Sequence, residues 1–210
     1  MEFFDAVAGR RSIRRFKKQG IPDSDIRKII EAGIQAPSAN NSQPWRFVVV
    51  KNRDILVRMA DAVRSMVDRM IPYAERERDA QRLAAYKSNY YVFFEHAPVV
   101  IVVLAEEYDS STDRLLKKMG YSDNEIKKLR PMPGLQSLSA AVENILLAAH
   151  ALGYGACWMT GPLVAQQEFS RILNYDNDMY AAALIPIGVP DENPPARVRK
   201  PVEEVMTTIE

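Results

Sequence analysis

The sequence has one cysteine and almost no net charge, and each shortage removes a class of function. Cys157 is the single cysteine among 210 residues, so an intrachain disulfide and a cysteine-based metal cluster are both excluded. The 28 basic and 27 acidic residues leave a net charge of +1. Proteins that bind nucleic acids usually carry a basic excess on one face, so we expect no nucleic-acid partner. His96 and His150 are far apart in the sequence and lack neighbouring ligands, so we expect no bound metal.

Long hydrophobic runs are also missing. The longest apolar run, 97–105, is far shorter than the roughly 20 residues that a membrane-spanning helix needs. The first residues lack the apolar core and small-residue cleavage site of a signal peptide. We therefore expect a cytoplasmic protein with no membrane partner.

What the sequence does contain is typical of a globular α/β chain. The hydrophobic content of 47% and the charged content of 26% allow a sizeable core, and no linker or repeat divides residues 1–210. Helical spacing of isoleucines predicts a helix that begins at a cap on Asp23 or Ser24 and ends before Pro37. Residues 45–50 are rich in β-branched and aromatic side chains and predict a strand.

The middle and end of the chain predict further helices and strands. Residues 53–95 are mostly helical in pattern. The run 99–104 is apolar on both faces, which predicts a central strand covered on both sides. Residues 135–152 predict a helix that is apolar nearly all round, which favours a subunit interface. Two further strands are predicted at 156–159 and 182–189. Together these elements predict helices flanking one sheet.

A polar segment interrupts this pattern at 106–134, where short helical pieces precede a Pro-Met-Pro-Gly sequence. We interpret it as an excursion from the core.

Two arginine clusters could bind an anion. Arg10, Arg11, Arg14 and Arg15 surround Ser12 near the start of the sequence, and planar guanidinium groups suit phosphate because they donate to two oxygens at once. Arg197 and Arg199 lie near the other end, and alternate residues of an extended segment point the same way. The alternative is a solvated basic surface. Taken together, the two clusters favour one phosphate that is held from both ends of the chain.

Two loops could hold a flat ring. The segment 36–45 supplies small and amide side chains before a strand, and amides can donate to and accept from the edge of a flavin or nucleobase. The segment 155–162 places small residues around a strand end, where a ring could lie against backbone amides. The alternatives are an asparagine-rich turn and an ordinary Gly-Pro turn.

The order and spacing of these motifs resemble the nitroreductase family. The resemblance is carried by five motifs: Arg-Arg-Ser-x-Arg at 10–14, Ala-Pro-Ser-x-x-Asn-x-Gln-Pro-Trp at 36–45, Gly-x-x-x-Cys-Trp-x-Thr-Gly-Pro at 153–162, Gly-x-Pro at 188–190 and Arg-x-Arg-Lys-Pro at 197–201. It implies an α+β fold, an α/β sandwich with a mostly antiparallel central sheet flanked by helices, in an intertwined homodimer. It also implies one domain over 1–210, with 106–134 as a substrate lid.

The resemblance further implies FMN as cofactor and NAD(P)H and a small-molecule electron acceptor as partners. The phosphate and ribityl chain would contact Arg10, Arg11, Ser12, Arg197 and Arg199, and Arg14 would support the ring electrostatically. A second group would come from the partner subunit: Pro37, Ser38, Ala39, Asn41 and Gln43. The other ring face would meet Met159, Thr160 and Gly161. Lys87 and Asn89 are unassigned candidates for the pyrimidine edge.

The implied reaction is a ping-pong transfer of hydride from NAD(P)H through flavin N5 to a nitroaromatic, a quinone or a related acceptor, with no protein nucleophile. Two alternatives use the same fold: reductive dehalogenation and flavin fragmentation. A third is a non-enzymatic protein that binds phosphate-bearing ligands. Cys157 is expected to be buried and inert.

Overall fold

The computed structural model describes residues 1–176 and 178–210, in which eight α-helices and four β-strands are found. The helices are α1 (Phe3–Gly9), α2 (Asp23–Ile34), α3 (Arg53–Met70), α4 (Glu77–Ala85), α5 (Ser111–Lys118), α6 (Asp123–Leu129), α7 (Pro133–Ala151) and α8 (Gln166–Leu173). The strands are β1 (Trp45–Val50), β2 (Val99–Glu106), β3 (Gly155–Ala156) and β4 (Met179–Gly188).

The four strands form one antiparallel sheet in the order β1-β2-β4-β3. Helices α2 and α7 pack on one face, and α3 and α8 pack on the other. The predicted α+β class with a central antiparallel sheet is confirmed.

Strand β2 is buried on both faces because its side chains alternate between two cores. Ile101 and Val103 pack with α2 and α7, whereas Val102 and Leu104 pack with α3 and α8. This period-two division explains a continuous apolar run in an antiparallel sheet. The prediction of a central, doubly covered strand is confirmed.

The end of the sheet differs from the prediction. The expected strand at 156–159 is regular only at β3, because the residue opposite Cys157 is Pro186. Cys157 N donates to Pro186 O at 3.3 Å, but proline has no N–H with which to donate back, so the ladder is interrupted. It resumes at one residue, where Met159 and Leu184 exchange two bonds of 2.9 Å.

Two other expectations need correction. Neither Asp23 nor Ser24 caps α2, because the helix begins at Asp23 itself after Pro22, and Asp23 forms an ion pair with Lys51. Strand β4 begins at Met179, three residues before the predicted start.

Helix α7 is buried along one face and only half-buried on the other. Leu138, Val142 and Ile145 are fully enclosed, while Glu143 and His150 remain partly exposed. The tail from 195 to 210 lies entirely on the surface, and Val198 is 97% exposed. Among the described residues, we find no helix whose length and apolarity would let it cross a bilayer.

Candidate functional site

The arginine segment, residues 10–16, follows α1 and is hydrogen-bonded to the edge strand β3. Ser12 forms a parallel bridge with Ala156, and Ile13 N donates to Ala156 O at 3.0 Å. Phe16 forms an antiparallel bridge with Pro190. Gly155 makes this approach possible, because a Cβ at that position would lie 2.6 Å from Ile13 Cγ1. The arginines are therefore displayed from a fixed backbone.

The two ends of the chain meet in one cleft of about 490 Å³, here called the arginine cleft. It contains every arginine that the sequence assigned to the phosphate and ribityl chain, together with Arg14. Its charged and polar lining consists of Arg10, Arg11, Ser12, Arg14, Arg197 and Arg199. Val198 and Lys200 are absent from the described lining, which fits an extended tail whose alternate side chains face the cleft.

The donor set of the arginine cleft fits a phosphate ester. Five guanidinium groups and one hydroxyl can donate to several oxygens of one anion, and their charge persists at any working pH. Arg10 also has a carboxylate neighbour on α7, with Nε 3.5 Å from Oε1 of Glu143.

A second cleft of about 560 Å³, here called the tyrosine cleft, shares Arg14 with the first. The expected ring-binding residues Met159, Thr160 and Gly161 lie in its wall. The rest of its lining is mainly aromatic: Tyr86, Tyr90, Tyr91, Phe93 and Trp158, with Cys157 and Pro162. An arginine between an arginine-lined cleft and an aromatic cleft suits a ligand with a phosphate at one end and a flat ring at the other.

Tyr86, Tyr90 and Tyr91 form one side of the tyrosine cleft, here called the tyrosine wall. A single π-helical turn, Tyr86–Tyr90, positions them. Tyr91 N donates to Tyr86 O at 2.8 Å, and this i→i+5 bond brings residues 86 and 91 onto the same side. Their rings stack with centroids 4.8 Å apart and an interplanar angle of 24°. The Tyr91 ring in turn packs directly on Gly161, where a side chain would collide with it.

Cys157 is enclosed at the back of the tyrosine cleft. Burial raises the pKa of its thiol, while the charge of Arg14 and a hydrogen bond with Ser12 act in the opposite direction. Burial dominates, so the thiol stays protonated near neutral pH, in agreement with the expectation of an inert cysteine.

The loop 37–43 is not brought to either cleft within one chain. None of its five assigned residues, Pro37, Ser38, Ala39, Asn41 and Gln43, belongs to the described lining of the two clefts. Ala39 N donates to Ser137 Oγ at 3.0 Å, near the start of α7. His150 lies beside Gly9, directly before the arginine segment. It is 13 residues further along that helix than Ser137, or about 20 Å at 1.5 Å per residue.

The loop is nonetheless built in an unusual backbone conformation. Asn40, Asn41 and Gln43 have φ angles of 53°, 53° and 46°. Gln43 N donates to Ser38 Oγ at 3.0 Å, which closes the turn. Left-handed backbone at non-glycine residues costs free energy and tends to occur at functional sites.

Two features near the clefts were not predicted from the sequence: three tyrosines and one glutamate. The tyrosines at 86, 90 and 91 were passed over although their density was a usable signal. Glu192, which contacts the arginine segment, had no sequence signal. The unassigned candidate Lys87 instead pairs with Asp68, with Nζ 2.6 Å from Oδ1, and Asn89 lies on the surface.

Known proteins are similar to this chain over nearly its whole length. The family model described as "Nitroreductase family" matches residues 7–189. A solved BluB-like flavoprotein from Clostridium difficile 630 is 35% identical, covers 100% of both chains and superposes with a TM-score of 0.93. A nitroreductase with bound FMN from Desulfitobacterium hafniense DCB-2 shares the fold at 24% identity, with a TM-score of 0.73 over 99% of this chain and 97% of its own.

Two curated relatives extend the comparison to activities. A protein of Methanothermobacter thermautotrophicus named "Putative NADH dehydrogenase/NAD(P)H nitroreductase" is 32% identical over 94% of this chain and 82% of its own length. The iodotyrosine deiodinase of Hydra vulgaris is 27% identical over 98% of this chain and 72% of its own length.

Proposed function

Because the chain belongs to the nitroreductase family, we propose that it is an FMN-dependent oxidoreductase that takes hydride from NAD(P)H. Its electrons would pass to an oxidised acceptor such as a nitroaromatic or a quinone. The observation that carries the proposal is the meeting of Arg10, Arg11 and Arg14 with Arg197 and Arg199 in one cleft that adjoins an aromatic one.

The arginine cleft would hold the FMN phosphate and ribityl chain, and the tyrosine cleft would receive the ring. When bound, the flavin would supply the redox chemistry, accepting hydride and later releasing electrons. Arg14 would place a permanent positive charge beside the ring, where negative charge develops on reduction. Gly161 would let the Tyr91 ring pack against the backbone of this segment, which would fix the aromatic side chains beside residues 159–161.

The tyrosine wall would bind the flat faces of nicotinamide and acceptor in turn. Aromatic side chains favour stacked or edge-on contacts with other rings and exclude water from them. The same space would serve both partners, which accounts for a ping-pong sequence.

We also propose that the protein works as a homodimer in which the loop 37–43 completes the partner's site. Support comes from the separation of about 20 Å along α7, which the loop cannot bridge within one chain. Support also comes from exposed apolar side chains on α1, where Phe3 and Phe4 are 64% and 82% exposed. Sedimentation equilibrium should give twice the mass of the 210-residue chain; the mass of one chain would refute the shared site.

The excursion 106–134, here with α5 and α6, is proposed as the substrate lid of the single domain 1–210. Tyr108 accepts a hydrogen bond from Asn40 Nδ2 at 2.9 Å, so the excursion touches the loop that would serve the partner's site. A bound acceptor that contacts neither α5 nor α6 would remove this role. The proposed location of the protein is cytoplasmic.

The reaction is tested by colour. Purified protein should show a flavin absorption spectrum and should bleach anaerobically with NADH or NADPH, and an added quinone should restore the colour. Colour that neither nucleotide bleaches would instead favour a specialised reaction of the same fold. Reductive dehalogenation would be the first to examine, given the deiodinase relative. A colourless protein that FMN cannot reconstitute would contradict the proposal.

The role of the tail is tested by Arg199→Ala. We expect FMN to bind about tenfold more weakly, because a charge-assisted hydrogen bond to the phosphate is lost. Fluorescence titration of apoprotein with FMN measures this effect. Lys200→Ala is the matched control, because it removes the same charge from a residue outside the described lining of the cleft. Equal FMN affinity in both variants would exclude Arg199 from the phosphate site.

A further inference from the structure

The carboxylate of Glu192 lies directly behind the residue that the two clefts share. Glu192 follows β4, and its side chain is only 19% exposed. Its Oε1 accepts from Arg14 N at 2.5 Å and from Arg15 N at 3.2 Å, while Oε2 lies 3.4 Å from Arg15 Nε. One carboxylate thus bonds two successive backbone amides and one guanidinium group.

Two adjacent N–H groups that point at one acceptor form an anion-binding concavity, and here a side chain of the protein itself fills it. Hydrogen bonds from amides to an ionised acceptor are stronger than those between neutral groups. Because the amides belong to consecutive residues, the carboxylate fixes the dihedral angles between them. The direction in which the Arg14 side chain leaves the backbone is therefore set by Glu192.

The remaining bonds of this segment fix its flanks. On one side Ile13 N donates to Ala156 O at 3.0 Å. On the other side Lys17 N donates to Val189 O at 2.9 Å, and Asp191 N donates to Arg15 O at 2.9 Å. Between these anchors, Glu192 is the side chain that holds residue 14.

We propose that Glu192 is a positioning residue for Arg14. It holds the guanidinium where the arginine and tyrosine clefts meet, and its negative charge moderates the positive charge that Arg14 presents there. The inference rests on the proposed function, because the consequence that matters is the redox behaviour of FMN bound beside Arg14.

Two substitutions separate geometry from charge. Glu192→Ala removes both the acceptor and the charge, so Arg14 becomes mobile. Because displacement of the Arg14 cation from the ring outweighs the loss of the carboxylate charge, we expect FMN to bind about tenfold more weakly with a more negative reduction potential. Glu192→Gln keeps a carbonyl oxygen for the Arg14 amide but removes the charge. We expect FMN affinity within about threefold of wild type and a more positive reduction potential, because the cation beside the ring is no longer moderated. Glu75→Gln, an exposed carboxylate on the turn before α4, is the matched control.

The measurements are FMN titration of apoprotein and the flavin reduction potential by dye equilibration. Potential shifts of opposite sign in the two variants support the proposal, since a purely structural loss would not raise the potential. FMN affinities and potentials that match those of Glu75→Gln in both variants overturn it. If Glu192→Ala does not fold, an unchanged potential in Glu192→Gln overturns it alone. Wild-type protein that binds no FMN would instead refute the proposed function.

Discussion

Replacement of Gly155 by alanine is expected to lower the free energy of unfolding by about 1–3 kcal/mol and to weaken FMN binding at least about tenfold. The new Cβ would lie 2.6–2.7 Å from Ile13 Cγ1, Cβ and Cγ2, all atoms at the base of a stiff, β-branched side chain. Ile13 cannot rotate away from such a contact, so its backbone must move. That backbone carries the arginine segment, and the displacement would disturb the arginine cleft directly.

Denaturant unfolding and FMN titration measure the two effects. Gly20→Ala is the matched control, because a Cβ at that position would meet no atom within 4 Å and its φ is not positive. FMN binding by Gly155→Ala that equals that of Gly20→Ala would show that the arginine segment does not depend on its contact with β3.

Substitution of Arg14 by alanine is expected to slow flavin reduction by NAD(P)H about a hundredfold, with a smaller loss of FMN affinity. Four other arginines remain in the arginine cleft to hold the phosphate, whereas Arg14 is the charged residue among those described that also lines the tyrosine cleft. Its Cζ lies 6.0 Å from the centroid of the Tyr90 ring. Losing it removes the cation that would offset negative charge on the reduced ring.

Anaerobic stopped-flow reduction and flavin titration separate the two quantities. Arg14→Lys should recover part of the rate, because it restores the charge without the planar donors. Arg58→Ala removes an exposed arginine of α3 and should leave both quantities unchanged. A reduction rate in Arg14→Ala equal to that in Arg58→Ala would remove the electrostatic role.

The strands of the central sheet could be predicted from the sequence because buried strands are rich in apolar and β-branched residues. Strand β2 was predicted from its unbroken apolar run, and β1 was predicted with the bounds that the structure shows. The edge strand β3 was predicted less well. A local pattern at 156–159 gives no sign that its partner will be Pro186, since pairing is decided by residues about 30 positions away.

In the candidate site too, features that depend on local sequence were predicted, and features that depend on distant residues were not. Arginine spacing indicated that 10–14 and 197–199 could serve one anion, because side-chain chemistry and local direction are written in the sequence. The contribution of Glu192 could not be found in this way, because it depends on a backbone approach between segments 177 residues apart. The tyrosine wall needed a π-helical turn, and a helical pattern does not reveal one extra residue per turn.

The proline in β4 has a consequence for how the tyrosine cleft can change. Pro186 is an imino acid in the middle of a strand, and it withholds the second bond that Cys157 would otherwise receive. A residue with an amide hydrogen at that position could complete the Cys157 pair and join β3 to the bridge at Met159. Residues 157–159, which line the tyrosine cleft, therefore make one fewer bond to β4 than a regular strand would, so this side of the cleft is less firmly attached to the sheet.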